Sequence, residues 1–328
     1  MSVRLGFVGV GGIAGAHLNA CRTLGIEVSA AFDLSAETMK EKQKEYGITH
    51  LLSSAQEVAD HPDVDAVIVC SPQYVHLDGI RAACNARKPL FTEKPLTRTI
   101  ADAAEAVELA EKAGIIAQIG FVRRYCSDWG AFADLVREGV IGRPVVWWMV
   151  GGGPGPGSSF FNQHDQGGGP MLDGMVHNYD FCRYIWGEPT RVVGSCVRIH
   201  PENTSLDTGT GILEFADGDR HMVSYSWGLP SGTSSAGVMN VLGPKGVFYF
   251  DDPDDQPPED LDGDNEGYFV VKTEGGDRSV YRHKRWDMME AQMADFIDAV
   301  ETGRHETRAT LHDGYRAMEM ALKILGDL

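Results

Sequence analysis

The stretch GGGPMLDGMVHNYD, residues 167–180, sets Asp173, His177 and Asp180 at positions i, i+4 and i+7. On an α-helix that spacing puts all three side chains on one face. Two carboxylates and an imidazole on one face are the parts needed to move a proton near neutral pH, where histidine titrates. Met171, Leu172, Val176, Tyr179 and Ile185 supply the apolar surface that would hold such a helix in place. A polar stripe on an otherwise apolar helix is costly to bury without partners, so it is either a solvated face or the lining of a site. Asp173, near the first turn, also suits a helix cap. A second group is Lys94 in TEKPL, just past the strand-like run KPLFT. Pro95 restrains the backbone before it and admits a cis bond, and Glu93 stands next door to orient or pair the ammonium. A surface lysine before a turn fits the same spacing.

The elements that must position these groups change character along the chain. VRLGFVGV, IEVSAAFD, VDAVIVCS, KPLFTEK and IIAQIGF are strand-like, rich in Val and Ile and bounded by turn residues. Between them lie helix-like segments: IAGAHLNACRTL, SAETMKEKQKEY, QYVHLDGIRAACNA and TIADAAEAVELAEKA. This alternation predicts a parallel sheet covered on both faces, and right-handed crossovers make it doubly wound. Carboxyl ends of strands face the ligand crevice in such sheets, and Lys94 falls at one of them. The turn after the first strand, GVGGIAGAH, reads as GxGxxG/A with Gly9, Gly11 and Ala14. Gly9 permits the tight turn, Gly11 lets the backbone approach a pyrophosphate, and Ala14 lets the helix pack closely on the strand. A helix starting near Gly12, with Ile13 next, would offer free N–H groups to the phosphates. The second strand ends on Asp33, 24 residues past Gly9. A carboxylate there accepts from the adenosine ribose and repels a 2′-phosphate. Leu34, Ser35 and Ala36 follow, with no Arg to receive a phosphate. The expected cofactor is therefore NAD.

Past about residue 140, strand-like runs follow one another with few helices between: PVVWWMVG, RVVGSCVRI, TGTGILEFADG, RHMVSYSW, GVMNVLG, GVFYF, YFVVKT and SVYRH. FADGDRHMVSY and LGPKGVFYF look like hairpins. They predict an α+β second domain with an open mixed, largely antiparallel sheet, dividing the chain into residues 1–121 and 122–328. Two amphipathic helices, WDMMEAQMADFIDAVETG and LHDGYRAMEMALKIL, close the chain with core-like spacing of Met, Phe, Ile and Leu. A sheet with one face left uncovered usually finds a partner, so a homodimer or homotetramer through it is expected.

The 328 residues are 43% hydrophobic and 23% charged, enough for two cores. No apolar run approaches a membrane span, and MSVRLGFVGVGG reads as a strand and a glycine turn, so a cytoplasmic protein is expected. Six scattered cysteines without a CxxC pair suit free thiols better than a zinc site or disulfides. A net charge of −18 argues against nucleic acid and anionic membrane as partners. Residues 251–266, DDPDDQPPEDLDGDNE, hold nine acids and no base. They read as a solvated loop, since Asn265 and Val271 stand where a calcium loop needs Gly and Glu.

In their order and spacing, GVGGIAGAH, CSPQYVH, TEKPL, IGFVRRY and GGGPMLDGMVHNYD resemble the glucose–fructose oxidoreductase and inositol dehydrogenase (Gfo/Idh/MocA) family. The resemblance covers nearly the whole chain, DGYRAMEMAL included, and the EKP and GGGxxxDxxxHxxD segments are its most diagnostic parts. It implies a Rossmann domain followed by an open mixed sheet, a nicotinamide cofactor at their junction, and a sugar, polyol or derivative as substrate. It also implies Lys94, Asp173 and His177 as catalytic groups. His177 would take the hydroxyl proton and Lys94 would stabilise the developing alkoxide. Asp173 would hold a neighbouring substrate hydroxyl and the ammonium, and Asp180 would orient the imidazole.

By the same resemblance Ser71, Pro72, His76 and Glu93 lie near the cofactor, and Arg123, Arg124 and Tyr125 contact substrate. The loop of residues 151–170, with eight glycines, reads as a mobile substrate cover carrying Asn162 and His164. Many members have Gly where this chain has Met175 or Val176, a difference of backbone packing. The family needs no metal. The implied reaction is hydride transfer from a secondary hydroxyl to NAD. Two alternatives stay open: a glycoside-cleaving enzyme using bound NAD for transient oxidation and elimination, and a non-catalytic NAD/sugar sensor.

Overall fold

In the computed structural model, which describes residues 3–328, the alternating runs form strands β1 (Arg4–Val8), β2 (Glu27–Phe32), β3 (His50–Leu51), β4 (Ala66–Val69), β5 (Leu90–Thr92) and β6 (Ala117–Ile119). Helices α1 (Ala14–Leu24), α2 (Ala36–Tyr46), α3 (Ala55–Asp60), α4 (His76–Asn85) and α5 (Ile100–Ala113) separate them. The strands pair in parallel in the order β3-β2-β1-β4-β5-β6. Ala66, Val67, Ile68 and Val69 are all fully buried, as a parallel sheet covered on both faces requires. Ser35, Ser54 and Thr99 cap α2, α3 and α5 by accepting the backbone N–H three residues on. Gly25, Gly47 and Gly114 end α1, α2 and α5 in the left-handed conformation that glycine adopts without cost. β3 and α3 are absent from the sequence reading because two and six residues are too few to show a period.

The chain continues through α6 (Ser127–Arg137), β7 (Val146–Gly152), α7 (Val176–Trp186), β8 (Arg191–Val197), β9 (Thr208–Glu214), β10 (Arg220–Ser226), β11 (Val238–Gly243), β12 (Gly246–Tyr249), β13 (Glu266–Thr273), β14 (Arg278–Lys284), α8 (Met288–Thr302) and α9 (Leu311–Leu325). These eight strands form one sheet ordered β14-β13-β12-β11-β7-β10-β9-β8, in which β7 and β10 are parallel and every other neighbouring pair is antiparallel. Both expected hairpins are present, β9–β10 and β11–β12. The period of two decides which face is core. Trp147 is fully buried among Trp129, Phe132 and Phe250, whereas its neighbour Trp148 is 40% exposed on the other face. Gly194 and Gly211 stand opposite each other on β8 and β9, where a Cβ on either would strike Ile324 of α9. Their missing side chains let the last helix lie directly on the sheet.

Two compact units result. The first holds the chain through Val122 together with Asp287–Met318, and the second holds Arg123–Trp286 with Glu319–Leu328. The closing helices therefore do not both belong to the second domain, as the sequence pattern suggested. Met293, Phe296 and Ala299 of α8 pack in one buried cluster with Leu18 and Cys21 of α1 and with Phe91, and Phe91 and Phe296 meet edge to face at 5.7 Å. Gly314 of α9 admits Leu96 and Ile119, both in the first unit. Among the described residues no helix is long and apolar enough to cross a membrane.

Candidate active site

The first unit presents the dinucleotide turn. Gly9 adopts φ +88°, and a Cβ there would stand 2.4 Å from the Ser71 backbone nitrogen, so only glycine lets β1 pass this close to the turn after β4. Gly11 and Gly12 differ: an added Cβ would meet no atom within 4 Å at either. That open space, beside a helix end, is what a pyrophosphate needs. α1 starts at Ala14, two residues later than the glycine pattern suggested, with Ile13 preceding it. It has no side-chain cap and no acid in its first turn, so its positive end is kept for an anion. Ile13 is 46% exposed at the mouth of the turn. Asp33 closes the other side, its Oδ2 accepting the Val10 N–H and its Oδ1 the Ser35 N–H, each at 2.9 Å. The Ser71 hydroxyl, beside Gly9 and before Pro72, is a buried donor with no hydrogen-bond partner among the described residues. The turn fits a dinucleotide.

Lys94 follows β5, half-buried, and its bond to Pro95 is cis. The backbone around it is held by buried side chains on both sides. Glu93 Oε2 accepts the Lys94 N–H at 2.9 Å, and Glu93 Oε1 lies 2.6 Å from Nε2 of His17, which is fully buried on α1. Burial pushes the Glu93 carboxyl up, but the His17 hydrogen bond and the His17 and Lys94 charges together bring it below the ordinary range. Gly120 is required here, because a Cβ would come within 2.9 Å of that carboxylate. On the far side His76 places Nδ1 at 3.0 Å from Pro95 O and Nε2 at 2.7 Å from Ser71 O. Burial lowers its affinity for a proton. His76 thus sits between the Lys94 segment and the Ser71 turn, and its single N–H donates to one of those carbonyls at a time. It is a buried pin against Ser71, the residue that Gly9 packs on.

The second unit holds the other candidates, but not on one continuous helix. Gly168 and Gly169 have φ of +73° and +84°, and Pro170–Gly174 forms a π-helical turn in which Met175 N–H reaches Pro170 O at 2.8 Å. Asp173 sits buried in that turn, and α7 with half-buried His177 and fully buried Asp180 begins only at Val176. Asp173 therefore lies in the π-helical turn that leads into α7, and His177 and Asp180 lie on α7 itself. Asp180 is clasped by Arg124, with Nε to Oδ2 at 2.9 Å and Nη2 to Oδ1 at 2.6 Å. The Arg124 guanidinium lies 5.0 Å from the Tyr184 ring centroid. So Arg124 and Asp180, both expected at substrate, form a buried bidentate pair. Tyr125 is also buried, and its carbonyl accepts the Trp286 indole N–H at 2.8 Å. Arg123 keeps some surface and stacks on Trp129.

The glycine-rich loop is tied down more firmly than a mobile cover would be. Asn162 O accepts the N–H groups of Thr204 and Ser205 and the Ser205 hydroxyl, and Gly167 and Gly169 N–H reach Phe160 O and Phe161 O. The Asn162 side-chain oxygen is buried without a partner among the described residues, and His164 is exposed. His17 is the residue the sequence reading missed. It stands in GVGGIAGAH, but nothing in its spacing reveals a partner 76 residues away.

Residues 3–121 match the model of an oxidoreductase family with an NAD-binding Rossmann fold, and residues 129–249 match that of the Gfo/Idh/MocA C-terminal domain. An uncharacterised oxidoreductase of Bacillus subtilis is 28% identical over 322 residues, 96% of this chain and 91% of its own. The myo-inositol 2-dehydrogenase of Thermotoga maritima is 28% identical over 255 residues, 76% of this chain and 75% of its own. A probable dehydrogenase of Thermotoga maritima, known from its crystal structure, superposes with a TM-score of 0.78 at 25% identity, covering 99% of this chain and 97% of the other.

Proposed function

The chain belongs to the Gfo/Idh/MocA family of NAD-binding oxidoreductases, and from that premise we propose that it oxidises a secondary hydroxyl of a sugar, cyclitol or sugar derivative. It is an NAD-dependent oxidoreductase, and NAD supplies the hydride acceptor when bound. His177 takes the hydroxyl proton as the C–H hydride leaves, and Lys94 holds the oxygen as it gains negative charge. Asp173 accepts from a neighbouring hydroxyl of the substrate. The myo-inositol specificity of the Thermotoga maritima relative favours a polyol ring. The observation that carries the reading is the Lys94 segment: an ammonium left half-exposed at the end of β5 on a backbone fixed by buried hydrogen bonds. A sensor has no use for that arrangement.

NADH formation from NAD⁺ across a panel of sugars, cyclitols and sugar acids, with His177→Ala alongside, tests it. Turnover that falls roughly 10²- to 10⁴-fold in the variant is expected. Turnover untouched by the variant, or none with any compound, overturns it. Asp33 carries the preference for NAD over NADP, so Asp33→Ser raises the NADP to NAD ratio of kcat/KM by roughly 10-fold. A second copy of the chain covers the open sheet face. Trp148 and Met222 are opposite each other in register there, as are Val150 and Val238 on the adjoining strands, all of them 38–47% exposed. Trp148→Glu is expected to yield monomers in sedimentation.

A further inference from the structure

A buried chain of hydrogen bonds runs from the dinucleotide helix to the backbone of Lys94. It starts at His17, on the first turn of α1, passes from Nε2 to Glu93 Oε1 at 2.6 Å, and leaves by Glu93 Oε2 to the Lys94 N–H at 2.9 Å. Every member is shielded: His17 is fully buried and Glu93 is 5% exposed. The imidazole is braced edge-on against Phe91 at 5.1 Å. Gly120 leaves no slack around the carboxylate, as any Cβ there would touch all three of its terminal atoms.

A buried histidine–carboxylate contact is expensive relative to an apolar substitute, so stability gives weak reason to keep one. A pair that fixes a main-chain amide has a use that apolar packing cannot supply, since only a hydrogen-bond acceptor holds an N–H. The titratable and charged groups facing Glu93 are His17 from α1, Cys70 after β4, His76 from α4 and Lys94 beside it. We propose that His17 and Glu93 are positioning residues that lock the Lys94 backbone to the helix whose end receives the pyrophosphate. Neither touches the reacting atoms. The assignment rests on Lys94 being the group that holds the substrate oxygen. Reacting groups displaced by about an ångström lose up to roughly 100-fold in rate, so a slack tether shows in kcat before it shows in binding.

The test compares His17→Leu, which fills the volume without a donor, with His17→Gln, which restores a donor to Glu93. Steady-state kinetics, NAD⁺ affinity by fluorescence and hydrogen exchange at the Lys94 amide are read on each. Pro95 has no amide, so a peptide across this pair reports Lys94 cleanly. His17→Leu is expected to lose roughly 10- to 100-fold in kcat, with substrate KM and NAD⁺ affinity within about two-fold of the parent. Its Lys94 amide exchanges faster, and His17→Gln recovers both the rate and the protection. Equal losses in the two variants, or unchanged protection in His17→Leu, overturn the proposal. Should His17→Leu not fold, His17→Met makes the same comparison with a thioether that is only a weak acceptor. If the parent turns over no polyol but its Lys94 amide responds as described, the tether stands and the dehydrogenase reading falls.

Discussion

Two completely buried histidines, His17 in the first unit and His221 in the second, are treated in opposite ways. His17, in the first unit, is 2.6 Å from a carboxylate; His221, on β10 in the second, reaches the Trp147 carbonyl at 3.2 Å and lies against that residue's ring at 4.4 Å between centroids. With no anion to support a charge, burial pushes His221 down to about 4. Beside His17 the opposite happens, and Glu93 stays below the ordinary carboxyl range although it too is buried. Near the proposed chemistry the protein keeps an interior charge and shares it; in the core of the large sheet it keeps an imidazole as neutral filling. Burial alone therefore does not tell which buried polar residue matters; its partner does.

That difference predicts unequal costs. Glu93→Ala leaves His17 without its buried partner and is expected to cost about 3–5 kcal/mol. His221→Phe keeps the ring on Trp147 and removes both nitrogens, Nδ1 at the Trp147 carbonyl and Nε2, a buried atom with no partner among the described residues. It is expected to change stability by no more than about 1 kcal/mol in either direction. Urea unfolding of both variants checks the contrast, and similar losses would break it.

A smaller effect separates the units by pH. His221 titrates at about 4 folded against an ordinary value of 6.5. Between those values the unfolded chain binds the proton and the folded chain does not, so stability falls as pH drops from 6.5 to 4 and then levels off. The loss amounts to about 3 kcal/mol. In His221→Phe the stability curve should be flatter across that window.

How much of this was legible in the sequence follows from the range of the interactions. Both sheets, both hairpins and the dinucleotide turn come from periods and turn residues, which are local. Alternation puts Trp147 and Trp148 on opposite faces, and the packing of the sheet decides that Trp147 is core. Two local signals misled. The i, i+4, i+7 spacing of Asp173, His177 and Asp180 assumed one α-helix, but the glycine run and Pro170 open it with a π-helical turn. The apolar stripe of α8 said that the helix was buried, but not that α1 would bury it. Contacts set by distant partners were beyond reach: the bond of His76 to Pro95, the clasp of Arg124 on Asp180, and the pairing of His17 with Glu93. These three contacts span 19, 56 and 76 residues, and period carries no information over such distances.

The smallest effect is the acid response of the Glu93 pair. Its folded value is depressed below the ordinary 4.5. The stability it contributes is therefore present above that value and lost as pH falls through the folded one. Desolvation opposes the hydrogen bond and charges that lower it, so the gain is the difference of opposing terms. All six tryptophans, Trp129, Trp147, Trp148, Trp186, Trp227 and Trp286, lie in the second unit. Tryptophan emission thus follows the unit that holds His221, while far-ultraviolet circular dichroism follows both. On acidification the emission should change first, and the remaining dichroism should be lost only below about 4.5, where Glu93 takes its proton. His17→Gln should raise the pH of that second step and leave the first where it was. A single coincident transition, unmoved by His17→Gln, would mean that the two buried histidines are not felt separately and that the contrast between the units ends at their geometry.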